Sequence, residues 1–90
     1  MGIIFSQHAI QQMFKRNISV EQVKLTIIQG EEIKLYPDDK PYPSKLLLFI
    51  ENDVPLHVVT AENVHNNEII IITAYIPEPD IWTEDFKTKR

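Results

Sequence analysis

Hydrophobic and polar positions follow two different periods along the chain. Between residues 7 and 29, apolar residues recur every three or four positions, which is typical of amphipathic helices. Between residues 31 and 76 they alternate with polar residues or form short unbroken runs, which is typical of strands. The pattern therefore predicts two helices followed by a sheet.

Capping residues mark the ends of the predicted helices. The first helix is predicted from residue 7 to residue 16, with Ser6 as its N-cap. The second opens with the capping-box pair Ser19 and Gln22 and runs to about residue 29. We expect it to end at Gly30 in a left-handed conformation. The segment before the first helix, Gly2 to Phe5, is apolar and is either an edge strand or the lead-in to that helix.

Four strands are predicted after the helices, joined by turns as an antiparallel meander. Their ranges are residues 31–36, 46–50, 56–61 and 69–76. The two-residue turn Asn52-Asp53 fits a hairpin, and a polar turn at residues 65–67 joins the last two strands. Four consecutive isoleucines, residues 69–72, indicate a strand that is covered on both faces and lies centrally in the sheet.

The predicted fold class is α+β, with two N-terminal helices packed on a four-stranded antiparallel sheet and a short C-terminal segment. Ninety residues predict a single domain over residues 1–90. The apolar runs of the last strands imply cover on the second face of the sheet as well. Either the segment around Trp82 or a partner chain supplies that cover.

Composition narrows the possible functions. Thirteen acidic and nine basic residues give a net charge of −4, which argues against strong non-specific nucleic-acid binding but leaves room for a local basic site. Three of the nine basic residues lie in the last four positions. The absence of cysteine excludes disulfides and thiolate catalysis. No apolar segment is long enough to span a membrane and the N-terminus does not resemble a signal peptide, so a cytoplasmic location is expected.

His57 is the most unusual polar residue, because it lies in the apolar run Leu56–Val59. A buried imidazole needs a hydrogen-bond partner. If the last two strands pair about their turn, His57 falls near Thr73 and Tyr75. These three side chains form either a general acid–base cluster or a satisfied buried network.

Other candidate residues lie on the first helix and around the proline-rich loop. His8 at the start of the helix is either a neutral base or a polar residue at the edge of the core. Arg16 either clamps a phosphate or carboxylate or pairs with a nearby acid. Tyr42 and Lys45, with Tyr36, either form a lip over a substrate cleft or are plain exposed loop residues. The histidines have no spaced ligands beside them, so no metal and no cofactor is predicted.

Several short motifs resemble one protein family. They are F-S-x-H-A from Phe5, M-x-x-R-x-I-S-x-E-x-V from Met13, G-E-x-I from Gly30, P-L-H-V-V from Pro55 and I-T-A-Y-x-P from Ile72, followed by Trp82. In combination they resemble the small bacterial family called domain of unknown function 4258. The resemblance runs from Phe5 to about Phe86.

The resemblance implies a function as well as a fold. That family is similar, at a greater distance, to the RelE/ParE and BrnT groups of toxin–antitoxin proteins, which share a fold of two helices and an antiparallel sheet. Some of their members cut RNA. The resemblance therefore implies a toxin-related protein or a metal-independent endoribonuclease, with RNA and an antitoxin as partners.

The same resemblance implies a cleft between the first helix and the sheet. Around it would lie His8, Arg16, His57, Thr73 and Tyr75. His57 or His8 would be the base, Arg16 or Lys45 would supply positive charge, and Tyr75 would be the acid. The alternative is a non-catalytic module that binds a protein, a small ligand or a second copy of this chain; the acidic composition and the doubly covered sheet favour it.

Overall fold

The computed structural model describes residues 2–90, which form two helices and one sheet. In chain order the elements are β1 (Gly2–Phe5), α1 (Gln7–Arg16), α2 (Val20–Gln29), β2 (Glu31–Tyr36), β3 (Ser44–Glu51), β4 (Val54–Asn63) and β5 (Glu68–Tyr75). The chain is therefore an α+β protein, as its hydrophobic periods predict. No helix within residues 2–90 is long and apolar enough to cross a membrane.

The sheet has five strands in the order β1-β5-β4-β3-β2, and the expectation of a four-stranded antiparallel sheet is wrong. Gly2–Phe5 forms a strand that pairs in parallel with β5, with Ile3 opposite Ile69. The other three pairings are antiparallel. β1 supplies hydrogen-bond partners to backbone groups of β5 that would otherwise form an open edge. The isoleucine-rich strand β5 consequently lies between two neighbours, as predicted.

The helix ends follow the predicted caps with one exception. The Ser6 hydroxyl accepts a hydrogen bond from the backbone N–H of Ala9, and Ser19 and Gln22 form a complete capping box. Gly30 has φ −72° and ψ 162°, so the expectation of a left-handed cap there is wrong. Glycine is needed for close packing instead, because a Cβ at this position would collide with the carbonyl oxygen of Thr26.

The two faces of the sheet have different covers. Both helices pack on one face, and the buried residues of that core are Ala9, Met13, Ile18, Val23, Leu56, Val58, Ile71 and Ala74. Neighbouring residues of a strand point to opposite faces of the sheet. Val58 points toward the helices, so the side chain of its neighbour His57 points away from them. Trp82 from the C-terminal segment lies over this second face and is buried. Of the two covers that the sequence left open, the Trp82 segment or a partner chain, the structure shows the Trp82 segment.

Candidate functional site

His57 and Tyr75 lie side by side on the face of the sheet that the helices leave free. They are direct partners across β4 and β5, as the predicted hairpin pairing requires. The hydroxyl oxygen of Tyr75 lies 3.1 Å from Nδ1 of His57. The two rings meet edge to face with their centroids 5.2 Å apart. The sequence-based expectation that His57 falls near Tyr75 is therefore confirmed.

The other ring nitrogen of His57 fixes the direction of this hydrogen bond. Nε2 lies 2.8 Å from the backbone carbonyl oxygen of Phe86. A carbonyl only accepts, so Nε2 carries a hydrogen and donates it. In a neutral imidazole Nδ1 is then an acceptor, and the hydroxyl of Tyr75 donates to it. The result is a chain of two hydrogen bonds from Tyr75 through His57 to Phe86.

Burial keeps the imidazole of His57 neutral. The residue has no exposed surface, and the ring of Trp82 packs edge to face against it at 4.5 Å. Desolvation by burial lowers the pKa of His57 below its usual 6.5, and the hydrogen bond to the Phe86 carbonyl opposes this only in part. At neutral pH the ring is consequently a base whose Nδ1 lone pair accepts the hydrogen bond from Tyr75.

Tyr75 connects this buried chain to an open cavity of about 350 Å³. The cavity is lined by Lys34, Tyr36, Leu46, Tyr75, Trp82, Lys87, Thr88 and Lys89. Burial raises the pKa of Tyr75 above its usual 10.0, and the neighbouring phenol of Tyr36 raises it further. Tyr75 therefore keeps its proton at neutral pH.

Three lysines line the cavity, and two of them, without a carboxylate partner within residues 2–90, give it positive charge although the whole chain is acidic. The ammonium group of Lys34 lies over the ring of Tyr36, at 5.4 Å from the centroid. That of Lys89 lies over the ring of Trp82 at 5.8 Å. Lys87 pairs with the carboxylate of Glu31 at 3.1 Å. Ammonium groups around a recess attract anions such as phosphate.

His8 and Arg16 do not join this cavity, so the expectation of one cleft between the first helix and the sheet is wrong. Both residues lie on α1, which covers the face opposite His57. His8 is exposed. Arg16 donates from Nη1 to the backbone carbonyl of Ala74 at 3.2 Å, which ties the end of α1 to β5. Strand alternation separates the two groups, because His57 points to the other face.

Lys45, Tyr42 and Thr73 also lie outside the cavity. Lys45 pairs with Glu32 at 3.0 Å and lines a second cavity, of about 320 Å³, next to Ile27 of α2. The Tyr42 hydroxyl accepts a hydrogen bond from Nδ2 of Asn63 at 2.9 Å. Thr73 is half-buried on β5, opposite Val59. Of the predicted site residues, only His57 and Tyr75 come together.

The three lysines were not predicted as site residues. Lys34 and Tyr36 are two positions apart on β2, and this spacing places them on one face of a strand. Lys87 and Lys89 belong to the basic cluster at the end of the chain. The alternation on β2 was visible in the sequence, whereas nothing local indicated that the irregular C-terminal segment lies across the sheet.

Among residues 2–90, no group of three or more His, Asp or Glu side chains is placed to hold a metal ion. The cavity itself is lined by tyrosines and lysines. They supply proton transfer and anion binding.

The chain belongs to the family described as Domain of unknown function (DUF4258), whose model matches residues 5–76. The matched region includes His57 and Tyr75. It ends before Trp82, Lys87 and Lys89, so one wall of the cavity lies beyond it. Searches of curated proteins and of solved structures gave no significant match.

Proposed function

We propose that the protein is a cytoplasmic, metal-independent endoribonuclease that cuts RNA in the cavity beside Tyr75. One observation carries the proposal: the hydrogen-bonded chain from Phe86 through His57 ends at the Tyr75 hydroxyl, inside a lysine-lined recess. A buried base behind a phenol can move a proton, and lysines can hold the phosphate on which that proton transfer acts.

The proposed reaction starts with the ribose 2′-hydroxyl. It gives its proton to the phenol oxygen of Tyr75 while Tyr75 passes its own proton to Nδ1 of His57. The carbonyl of Phe86 stabilises the imidazolium that forms, since it already accepts from Nε2. Of the two bases that the family resemblance implied, His57 or His8, this mechanism uses His57, which acts through Tyr75.

The remaining bonds change at phosphorus. The 2′-oxygen forms a bond to the phosphorus atom, and the bond from phosphorus to the 5′-oxygen breaks. That oxygen takes a proton from the phenol of Tyr36, which lines the same cavity. The ammonium group of Lys34 or that of Lys89 stabilises the negative charge that develops on the phosphate oxygens. Exchange with water then restores the proton to Tyr36 and removes the one on His57.

A cleavage assay tests the proposal. Purified protein is incubated with single-stranded RNA in the presence of a strong metal chelator, and the ends of the products are determined. We expect 2′,3′-cyclic phosphate and 5′-hydroxyl ends, and no cutting of DNA of the same sequence, because DNA lacks the attacking hydroxyl. Expression should also slow growth, as a toxin-related ribonuclease would. Intact RNA under all conditions would refute the proposal.

A second candidate function is that of a non-catalytic module that binds a protein partner such as an antitoxin. One exposed surface favours it. Phe14 on α1 is 90% exposed and Ile10 is 55% exposed. They border an apolar depression of about 490 Å³ that includes Met13 and Ile18. Exposed apolar surface of this kind commonly marks a protein interface. Binding to the product of the adjacent gene, abolished by Phe14→Ser, would support this function.

A further inference from the structure

Two walls of the cavity carry the same device, a lysine held over an aromatic ring. Lys34 lies over Tyr36 on the β2 side. Lys89 lies over Trp82 on the side of the C-terminal segment. Each ammonium group lies within cation–π range of its ring, while the lysine itself remains exposed. Each ammonium group can therefore contact a ligand without leaving its ring.

Neither of these two lysines is neutralised by a carboxylate. The ion pairs among the described residues involve Lys45 with Glu32 and Lys87 with Glu31. Lys34 and Lys89 consequently keep their full charge for a ligand. An unpaired ammonium gains more from a phosphate than a paired one, because the paired one must first be separated from its carboxylate.

The catalytic phenol of Tyr75 lines the same cavity as the two devices. β2 and β5 are separated by β3 and β4, so the strands that carry Lys34 and Tyr75 are roughly 14 Å apart at three strand spacings. Tyr36 of β2 and Tyr75 of β5 nevertheless line one cavity. Lys34 and Lys89 lie on different walls of the cavity, so each offers a separate contact for a phosphate.

We infer that the ligand is a single-stranded polynucleotide that places two consecutive phosphates in the cavity, one at Lys34 and one at Lys89. The inference rests on the proposed function for the choice of cavity. A single strand can enter the recess and place a base on Tyr36 or Trp82, as aromatic side chains of single-strand binders do, whereas a stacked and paired duplex cannot.

The test measures binding to oligodeoxythymidylates, which lack the 2′-hydroxyl and are not cut by the proposed reaction. The probes are di-, tri- and tetranucleotides with one, two and three phosphodiesters, each followed by fluorescence anisotropy at several salt concentrations. We expect affinity to rise from the first to the second probe and to change little with the third. For the tetranucleotide, the slope of log K against log salt should be about −1.4, that is, two contacts on a single strand.

Substitution of each lysine tests whether it makes one of the two phosphate contacts. Lys34→Met and Lys89→Met should each make the slope shallower by about 0.7, and the double variant should abolish the salt dependence. Lys24→Met, an exposed lysine on α2 over the other face, is the matched control and should leave the slope unchanged.

The outcome separates this inference from the proposed function. A slope of about −0.7 that only one of the two lysines affects would overturn the inference, even if the protein cuts RNA. Equal binding of a duplex would also overturn it. Two contacts assigned to Lys34 and Lys89 without any RNA cleavage would support it, and the ribonuclease proposal alone would fail.

Discussion

Nδ1 of His57 lies 3.1 Å from the hydroxyl oxygen of Tyr75, and the two residues are direct partners across neighbouring antiparallel strands. The histidine is fully buried while the tyrosine reaches an open cavity. A group that is shielded from water is thus hydrogen-bonded to a group that lines the open cavity. This relationship makes the pair sensitive to pH and to single-atom substitutions.

The stability of the protein should depend on pH through His57. Burial lowers its pKa below 6.5, so between 6.5 and that lower pKa the unfolded chain binds a proton that the native protein does not. The contribution of the neutral, buried His57 to the free energy of unfolding is therefore fully present above pH 6.5. This contribution decreases as the pH falls, by up to about 1.4 kcal/mol per pH unit. His57→Gln removes this dependence. Urea unfolding of both proteins across this range should show the difference between their free energies shrinking toward acid pH.

His65→Gln is the matched control for that experiment, because His65 is exposed in the turn between β4 and β5. It should follow the wild type at every pH. A constant difference between the wild type and His57→Gln from neutral to acid pH would contradict the neutral, buried state of His57.

Substitutions at two adjacent residues of α1 should differ strongly in their effect on the free energy of unfolding. Met13 is 5% exposed and packs in the core beneath the helix, so Met13→Ala should reduce the free energy of unfolding by about 2–5 kcal/mol. Phe14 is 90% exposed, and Phe14→Ser should change it by less than about 0.5 kcal/mol. Chemical denaturation measures both. A large loss in Phe14→Ser would mean that this side chain is covered in solution.

Gly30→Ala should destabilise the protein although the backbone there is not left-handed. The added methyl group would collide with the carbonyl oxygen of Thr26 and press on that of Leu48. Because both obstacles are backbone atoms, α2 and β3 must move apart, at a cost of about 1–3 kcal/mol. Gly2→Ala is the control, since a Cβ at Gly2 meets nothing within 4 Å. Thermal unfolding midpoints that are equal for the two variants would contradict the close approach.

Local patterns predicted most of the elements because their causes are local. Ser6, the Ser19–Gln22 pair and the Asn52-Asp53 turn act within a few residues, and each lies where the sequence placed it. The pairing of β1 with β5 joins residues more than sixty positions apart. A four-residue apolar segment carries no signal for such a partner, so the sequence predicts neither the parallel pairing nor the fifth strand.

The candidate site was predictable only where it depends on one hairpin. His57 and Tyr75 are brought together by the pairing of β4 and β5, which the turn between them sets. His8 and Arg16 were expected nearby, but the sequence does not reveal which face of the sheet α1 covers. The contribution of Lys87, Lys89 and the Phe86 carbonyl depends on where an irregular segment packs, and no periodic pattern reports that.

The central claim is that the Tyr75–His57 pair moves the proton in RNA cleavage, and the single-turnover cleavage rate of variants tests it most directly. Tyr75→Phe removes one oxygen and His57→Gln removes the base, so each should lower the rate by roughly 10²–10⁴-fold, the usual share of general acid–base catalysis. His65→Gln should cut at the wild-type rate, and circular dichroism should show all three variants folded. Cleavage by folded Tyr75→Phe at the wild-type rate would contradict the account.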